Sequence, residues 1–307
     1  MTIQENIPLA KLSTMNIGGP ARYFVAVKNT QELEDALSFA KENGLHWHLV
    51  GEGSNIIPAD EGFNGLIIKS ELNSLNINNT RTIVGAGHSL SAFVRALNEK
   101  GLSGMERMAG IPGTVGGAIY GNAGAYGQEI KDTIVSVRYF NGEAFTELPV
   151  AEMAFGYRTS MFEKRKDWTI TEAVFELQKG EIAKLQKISD EIIKTRQKKY
   201  KPGIKCPGSF FKNIVLANLP EDERVALIKK VPKEKIVYGK IPSGYLLEAA
   251  GARNIRMGGI AVADFHGNLI YNTGTGTAAD VKALSQKLKA LVREKFGIEL
   301  EEEVQYL

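Results

Sequence analysis

The strongest constraint on the fold of this chain is a glycine-rich run, GIPGTVGGAIYGNAGAYG, at residues 110–127. Seven of these eighteen residues are glycine, and the run has no charged side chain. Glycine tolerates positive φ angles and lets backbone N–H groups approach a ligand closely, as phosphate-binding loops require. The run is too long for one tight turn and lacks the serine of a flexible linker. We therefore predict a preformed loop for a phosphate or pyrophosphate, with a glycine-rich structural turn as the alternative.

A second glycine motif, GEGSN, follows a short apolar segment and contains Gly51, Gly53, Ser54 and Asn55. The serine and asparagine side chains can add hydrogen bonds to a phosphate that backbone N–H groups already hold. The motif is not a dinucleotide fingerprint, because no long helix is predicted after it, and it lacks the Gly-Lys-Ser/Thr ending of a P-loop. Two such motifs predict one large dinucleotide that is held from two sides.

Composition narrows the class of protein. At 307 residues, with 43% hydrophobic content, the chain is long enough for about two or three domains with real cores. A net charge of +3 is too balanced to indicate a nucleic acid or a membrane surface as partner. Cys206 is the single cysteine, so no internal disulfide can form and a reducing compartment is expected.

The sequence shows no signal for export or for a metal. It has no apolar leader segment and no apolar run of the length that spans a membrane, so we expect a cytoplasmic protein. His46, His48 and His88 have no ligand spacing with a cysteine or a carboxylate cluster, and we predict no metal site.

Hydrophobic periodicity predicts alternating helices and strands. Thr30 is the expected N-cap of a helix that Gly44 ends, and Asn141-Gly142 is the expected turn of a hairpin. The last predicted helix starts after Thr277, which forms a capping box with Asp280. Its apolar stripe is expected to belong to the core and contains Val281, Leu284, Leu288 and Leu291.

Three further motifs could carry chemistry, although each also has an ordinary interpretation. GSFFKN, at 208–213, can be a plain loop, and Phe211 excludes the GxSxG pattern of a serine hydrolase. YRTS, at 157–160, contains an arginine that can be a surface cation. LEEEV, at 300–304, can be a solvated acidic tail.

Together these motifs resemble the UDP-N-acetylenolpyruvoylglucosamine reductases. The two glycine motifs and LSTMNIGGPARYFV, at 12–25, are similar to the FAD-binding half of that family, which shares the fold of the vanillyl-alcohol-oxidase flavoproteins. The resemblance runs from about Leu12 to Val304 and implies an α+β fold. It consists of a two-part FAD-binding domain of the vanillyl-alcohol-oxidase (PCMH) type and a C-terminal α+β substrate-binding domain. We predict subdomains at 1–70 and 71–195, a PCMH-type region at about 17–182, and the substrate domain at 196–307.

The resemblance also implies the site residues. Ser209 of GSFFKN takes the place of the family's general acid, and Arg158 of YRTS faces the substrate carboxylate. The family pattern Leu-Glu-Pro-Glu-Val makes Glu303 the third catalytic residue. Glu302 replaces the proline of that pattern, which predicts a looser loop. The implied substrate-binding residues are Tyr157, Lys212, Asn213 and His266. The implied cofactor-binding residues are Gly51, Gly53, Ser54, Asn55, Gly110, Ile111, Gly113, Thr114, Gly116, Gly117, Asn122 and Gly124.

The implied activity is reduction of an enolpyruvyl ether of UDP-N-acetylglucosamine to UDP-N-acetylmuramate, a peptidoglycan precursor. Hydride would pass from NADPH as co-substrate to N5 of non-covalent FAD and then to the substrate, and Ser209 would supply the proton. The partners are then small molecules, with no nucleic acid or membrane, and we expect a monomer. The family divides by an extra loop over the substrate. The short path from Gln178 through one helix to Ser209 predicts the form without that loop.

Two other functions remain open at this point. One is an oxidase of the same flavin fold that passes electrons to O₂. The other is a nucleic-acid-binding module built on the basic stretch at 194–205, which would show a steep salt dependence and no chromophore. The same basic stretch also suits a helix C-terminus, where cations complement the helix dipole.

Overall fold

The computed structural model describes all 307 residues, and these form two compact units. The first unit consists of Met1–Ile7, Ala21–Gly53 and Asn64–Lys198, and the second of Pro8–Pro20, Ser54–Phe63 and Lys199–Leu307. Each unit contains both helices and sheets, which confirms the predicted α+β class.

Seven α-helices occur along the chain. They are α1 (Thr30–Glu42), α2 (Leu90–Glu99), α3 (Val115–Tyr120), α4 (Ile182–Lys199), α5 (Glu221–Lys230), α6 (Ser243–Ala249) and α7 (Ala278–Phe296). None of them is both long enough and apolar enough to cross a membrane.

Two sheets organise the first unit. A four-stranded sheet has the order Gln4–Pro8, Pro20–Val27, Phe63–Ser70 and Trp47–Val50, and its last pair is parallel. An antiparallel five-stranded sheet has the order Phe145–Pro149, Ile134–Phe140, Thr169–Glu176, Arg81–Gly85 and Leu75–Asn78. Two-stranded ladders pair Gly124–Ala125 with Gln128–Glu129, and Leu102–Ser103 with Gln178–Lys179.

The second unit has shorter sheets that pack against a large apolar core. An antiparallel sheet contains Arg256–Met257, Ile260–Ala263 and His266–Asn272. Two small ladders pair Ile214–Val215 with Lys240–Ile241 and, in parallel, Ile56–Ile57 with Gln305–Tyr306. Val281, Leu284 and Leu288 of α7 are fully buried in this core, as the apolar stripe predicts, while Leu291 is partly buried.

The structure has the predicted hairpin turn, whereas the N-cap of α1 differs from the prediction. The Asn141 side chain accepts hydrogen bonds from the N–H groups of Glu143 and Ala144 and so closes the predicted hairpin. The expected N-cap of α1 is wrong by one residue. Asn29 caps that helix by accepting from the Glu32 N–H at 2.9 Å, because its amide oxygen is placed to reach the third helical N–H.

Two groups cap α7 at its N-terminus. Thr277 and Asp280 form the predicted capping box. The Asp60 carboxylate also accepts from the N–H groups of Ala278 at 2.7 Å and Ala279 at 2.9 Å. A carboxylate at a helix N-terminus is stabilised by the helix dipole. This contact ties the loop after GEGSN to the longest helix of the second unit.

Replacing Thr277 by alanine removes the hydroxyl that accepts from the Asp280 N–H at 3.0 Å. We expect the free energy of unfolding to fall by about 1 kcal/mol, measured by urea denaturation. Thr275 is exposed two residues earlier, and Thr275→Ala is the matched control. Equal losses for both variants would contradict the capping role.

Candidate active site

The two glycine motifs meet in the first unit. The Glu52 carboxylate, inside GEGSN, accepts a hydrogen bond from the Gly113 N–H at 2.9 Å. A Cβ atom on Gly51 would lie 2.5 Å from the Thr114 hydroxyl oxygen, closer than real contacts allow. A larger residue at position 51 would therefore displace the Thr114 side chain. The two loops are therefore adjacent, and the single ligand that the sequence assigns to them stays a prediction.

A short helix follows this contact. Thr114 is the N-cap of α3, and its hydroxyl accepts from the Gly117 N–H at 3.2 Å. Gly116 packs against Ala86 so closely that a Cβ would lie 2.9 Å from the alanine Cβ. Gly53, Gly110 and Gly113 adopt positive φ angles. These loops therefore present backbone rather than side chains, which is what a phosphate group requires.

Asn122 acts as an internal brace of the glycine-rich run. It is fully buried, and its amide donates to the Gly156 carbonyl at 2.8 Å and to Glu129 at 3.2 Å. Its amide oxygen accepts from the Lys131 N–H. The burial of this side chain therefore has a structural explanation, and its predicted contact with the cofactor stays a prediction.

Arg158 is held at a tight turn beside the same run. Its guanidinium donates to the Gly124 carbonyl at 2.7 Å and to the Asn122 carbonyl at 3.4 Å, and it lies over the Tyr157 ring at 5.1 Å. The φ angle of Arg158 is 55°, in a region that residues other than glycine seldom adopt. Strain of this kind concentrates at functional positions, since the surrounding structure has to maintain it.

In the second unit, a buried asparagine fixes the GSFFKN segment. The Asn268 side chain accepts from the Phe211 N–H at 2.8 Å and donates to the Phe211 carbonyl at 2.9 Å. Ser243, at the start of α6, donates to the same carbonyl at 3.0 Å and to the Asn213 amide oxygen at 3.4 Å. The Asn268 amide thus pairs with the backbone N–H and C=O of Phe211, as the backbone of a neighbouring strand would. No sequence motif pointed to Asn268, although it lies two residues after the predicted substrate-binding residue His266.

The C-terminal residues pair with this segment. The Glu303 N–H donates to the Phe210 carbonyl at 2.8 Å, and the Lys212 N–H donates to the Glu301 carbonyl at 2.8 Å. The backbone therefore brings Glu303 next to the residue that follows Ser209. The Lys212 ammonium forms an ion pair with Glu301 at 2.6 Å.

Glu302 does not loosen the loop, so that expectation is wrong. Its carboxylate accepts from the Ser285 hydroxyl and from Tyr306, and it pairs with the Lys289 ammonium at 3.3 Å. Two of these partners belong to α7. The side chain therefore fastens the loop to a helix, whereas a proline would have restricted it through its ring.

Asn55 has a second structural task. Its side-chain amide donates to the Glu303 carbonyl at 2.9 Å, and its own carbonyl accepts from the Gln305 N–H at 2.9 Å. Asn55 therefore positions the segment that carries Glu303. Its predicted contact with the cofactor, like that of Ser54, stays a prediction.

Ser209 forms a hydrogen bond with a tyrosine that packs against a histidine. Its hydroxyl is 2.8 Å from the Tyr200 hydroxyl, and the Tyr200 ring meets the His266 ring edge-on at 6.4 Å. His266 Nδ1 is 3.8 Å from Glu248. Burial lowers the pKa of His266, the Lys199 charge lowers it further, and Glu248 opposes both. The imidazole is therefore neutral near pH 7.

Comparison with known proteins defines the class. A model of the FAD binding domain matches residues 21–144, and a model of the UDP-N-acetylenolpyruvoylglucosamine reductase C-terminal domain matches residues 198–307. The chain is thus a flavoprotein with an FAD-binding domain followed by a C-terminal domain specific to one group of reductases. Both parts of the predicted architecture are confirmed.

Individual relatives narrow the class to one family. The UDP-N-acetylenolpyruvoylglucosamine reductase of Solibacter usitatus is 41% identical over 100% of this chain and 97% of its own length. That of Bacillus licheniformis is 35% identical over 99% and 94%. The crystal structure of the reductase (MurB) from Thermus caldophilus matches with a TM-score of 0.78 at 28% identity, covering 99% of each chain. This chain belongs to the UDP-N-acetylenolpyruvoylglucosamine reductase family.

The glycine contacts make the cofactor loops testable. In Gly51→Ala, the added methyl group collides with Thr114, while the φ angle at position 51 needs no glycine. We expect the dissociation constant of FAD to rise about ten- to a hundredfold, measured by flavin fluorescence titration. Gly121→Ala, within the same run, meets no atom closer than 4.0 Å and is the control. Unchanged affinity in Gly51→Ala would contradict the two-loop site.

Proposed function

We propose that this chain uses NADPH to reduce the enolpyruvyl ether of UDP-N-acetylglucosamine, forming UDP-N-acetylmuramate for peptidoglycan synthesis. The observation that carries the proposal is the backbone pairing that brings Glu303 beside the residue after Ser209. A hydroxyl and a carboxyl held together by main-chain bonds are suited to deliver a proton and to stabilise the charge that develops. Membership of the reductase family supports the same activity.

FAD fits the loops of the first unit. A Cβ at Gly51 or Gly116 would collide with Thr114 or Ala86, so the two loops pack closely, and the Glu52 contact holds them together. When bound, FAD supplies the hydride chemistry between NADPH and the enolpyruvyl group. The remaining residues proposed to contact FAD are Gly53, Ser54, Asn55, Gly110, Ile111, Thr114, Gly117, Asn122 and Gly124.

Arg158 would bind the carboxylate of the enolpyruvyl group. Its planar guanidinium can donate two parallel hydrogen bonds to a carboxylate, and the turn and the Gly124 carbonyl fix its direction. Negative charge develops on that carboxylate when hydride reaches the β-carbon of the enolpyruvyl group. Arg158 is therefore proposed to stabilise the transition state more than the ground state.

Ser209 would give its proton to the carbon that bears the carboxylate. Glu303, carrying or sharing a proton, would stabilise the same developing charge by donating a hydrogen bond to it. Tyr157, Lys212, Asn213 and His266 are proposed to line the substrate site. The Lys212 ammonium pairs with Glu301 of the C-terminal segment at 2.6 Å, and this contact would orient it.

Several finer points belong to the same proposal. We propose a monomer that acts on small molecules without a nucleic acid or membrane partner. One helix, α4, lies between Gln178–Lys179 and Ser209, which supports the form without an extra substrate loop. The boundaries at 70 and 195 stay predictions. Family membership favours the reductase over an oxidase of the same fold.

The direct test is product analysis. Purified protein is incubated with NADPH and UDP-N-acetylglucosamine enolpyruvate, with and without oxygen. We expect NADPH consumption that depends on the sugar nucleotide and a product heavier by a pair of hydrogen atoms. NADPH consumption that depends on oxygen and leaves the sugar nucleotide intact would contradict the proposal and favour the oxidase.

Ser209→Ala separates the two half-reactions. We expect FAD reduction by NADPH to keep its rate, while reoxidation by the enolpyruvyl substrate slows by roughly 10²-fold or more. Anaerobic stopped-flow absorbance measures both rates, and the first half-reaction is the internal control. If both survive intact, Ser209 is not the acid.

Arg158→Lys retains the charge but loses the planar pair of donors. We expect kcat/KM for the enolpyruvyl substrate to fall about a hundredfold, as for removal of one preorganised donor. Arg165, an exposed arginine of the same unit paired with Asp167, provides the control variant Arg165→Lys. Similar kcat/KM values for both variants and the parent would contradict the role of Arg158.

A further inference from the structure

The tyrosine beside Ser209 offers an answer to a chemical difficulty. A serine hydroxyl is a weak acid, so it needs a neighbour that stabilises its oxygen as the proton leaves. Lys212 is close in sequence, but its ammonium is 2.6 Å from Glu301. The Tyr200 hydroxyl is 2.8 Å from the Ser209 oxygen, within hydrogen-bond distance. Both residues are partly buried.

Packing holds the Tyr200 ring in place. The ring contacts an apolar cluster that includes Cys206, Ala263 and Leu269. Its edge contact with His266, at an interplanar angle of 82°, limits rotation on another side. Tyr200 therefore keeps one orientation, with its hydroxyl directed to the serine.

The imidazole is itself fixed. A Cβ on Gly244 would lie 2.9 Å from His266 Cε1, so the bare backbone of α6 forms one wall of the ring's site. Glu248 stands behind Nδ1 and is held by the Gly267 N–H at 2.9 Å and by Arg253 at 2.6 Å. Glu248 therefore fixes the imidazole, and the imidazole packs against the tyrosine ring that contacts Ser209.

We propose that Tyr200 is the positioning residue of the proton donor Ser209, a role that rests on the proposed function. Tyr200 donates its hydroxyl hydrogen bond to the Ser209 oxygen. As the Ser209 O–H bond breaks and a C–H bond forms on the substrate, the Tyr200 proton moves to the serine oxygen. Water then returns a proton to the tyrosine oxygen. No electrons are gained or lost in these steps, and the serine ends in its original state.

Tyr200→Phe removes the hydroxyl and keeps the ring that packs against His266. We expect reoxidation of the reduced flavin by the enolpyruvyl substrate to slow about ten- to a hundredfold, the loss of one hydrogen bond to a charged oxygen. FAD reduction by NADPH and substrate affinity, measured by the spectral change on binding, should keep their parent values. The solvent deuterium isotope effect on reoxidation should increase, because proton delivery becomes slower.

Tyr271→Phe is the matched control, since Tyr271 packs against the same apolar cluster. We expect this variant to reduce FAD and to reoxidise it at the same rates as the unsubstituted protein. The double variant Ser209→Ala/Tyr200→Phe should be no slower than Ser209→Ala alone, because residues that act as a unit are not additive.

The outcomes separate this inference from the proposed function. Slow reoxidation in Ser209→Ala with parent rates in Tyr200→Phe would overturn the role of Tyr200 alone. Parent rates in Ser209→Ala would overturn the proton donor itself. Additive effects in the double variant, or weaker substrate binding with an unchanged isotope effect, would assign Tyr200 a packing role and also overturn the inference.

Discussion

The candidate site depends on the pairing between the end of the chain and the segment after Ser209. Hydrogen bonds from Glu303 to Phe210 and from Lys212 to Glu301 join two stretches that lie far apart in sequence. Asn268 completes the pairing from the opposite side, and Asn55 secures the Glu303 carbonyl. Such main-chain bonds constrain position more tightly than surface ion pairs do, because each strand fixes its neighbour's register.

Close packing around two glycine residues constrains the first unit in a comparable way. Gly51 lies against Thr114 and Gly116 against Ala86, and each contact leaves no room for a Cβ. The close approach brings the two loops within reach of the Glu52–Gly113 hydrogen bond. The glycines therefore do more than permit unusual φ angles, since they determine how closely two loops can pack.

Sequence reasoning succeeded where a local pattern determines the structure. The capping box of α7, its buried stripe and the asparagine hairpin all depend on neighbours within a few residues. The predictions were wrong where a contact with a residue far away in the sequence determines the local structure. Glu302 suggested a loose loop, because its partners Ser285 and Lys289 lie on a helix that the pattern cannot bring near. Tyr200 has no local signal either, because its contact with Ser209 depends on how the residues between them fold.

The most direct measurement is the visible spectrum of the purified protein under anaerobic conditions, with NADPH added first and UDP-N-acetylglucosamine enolpyruvate second. The account predicts a flavin band that bleaches with NADPH and returns with the sugar nucleotide. A band that bleaches but returns only when air is admitted would contradict the proposed reductase activity. The absence of any band after addition of FAD would contradict the cofactor site itself.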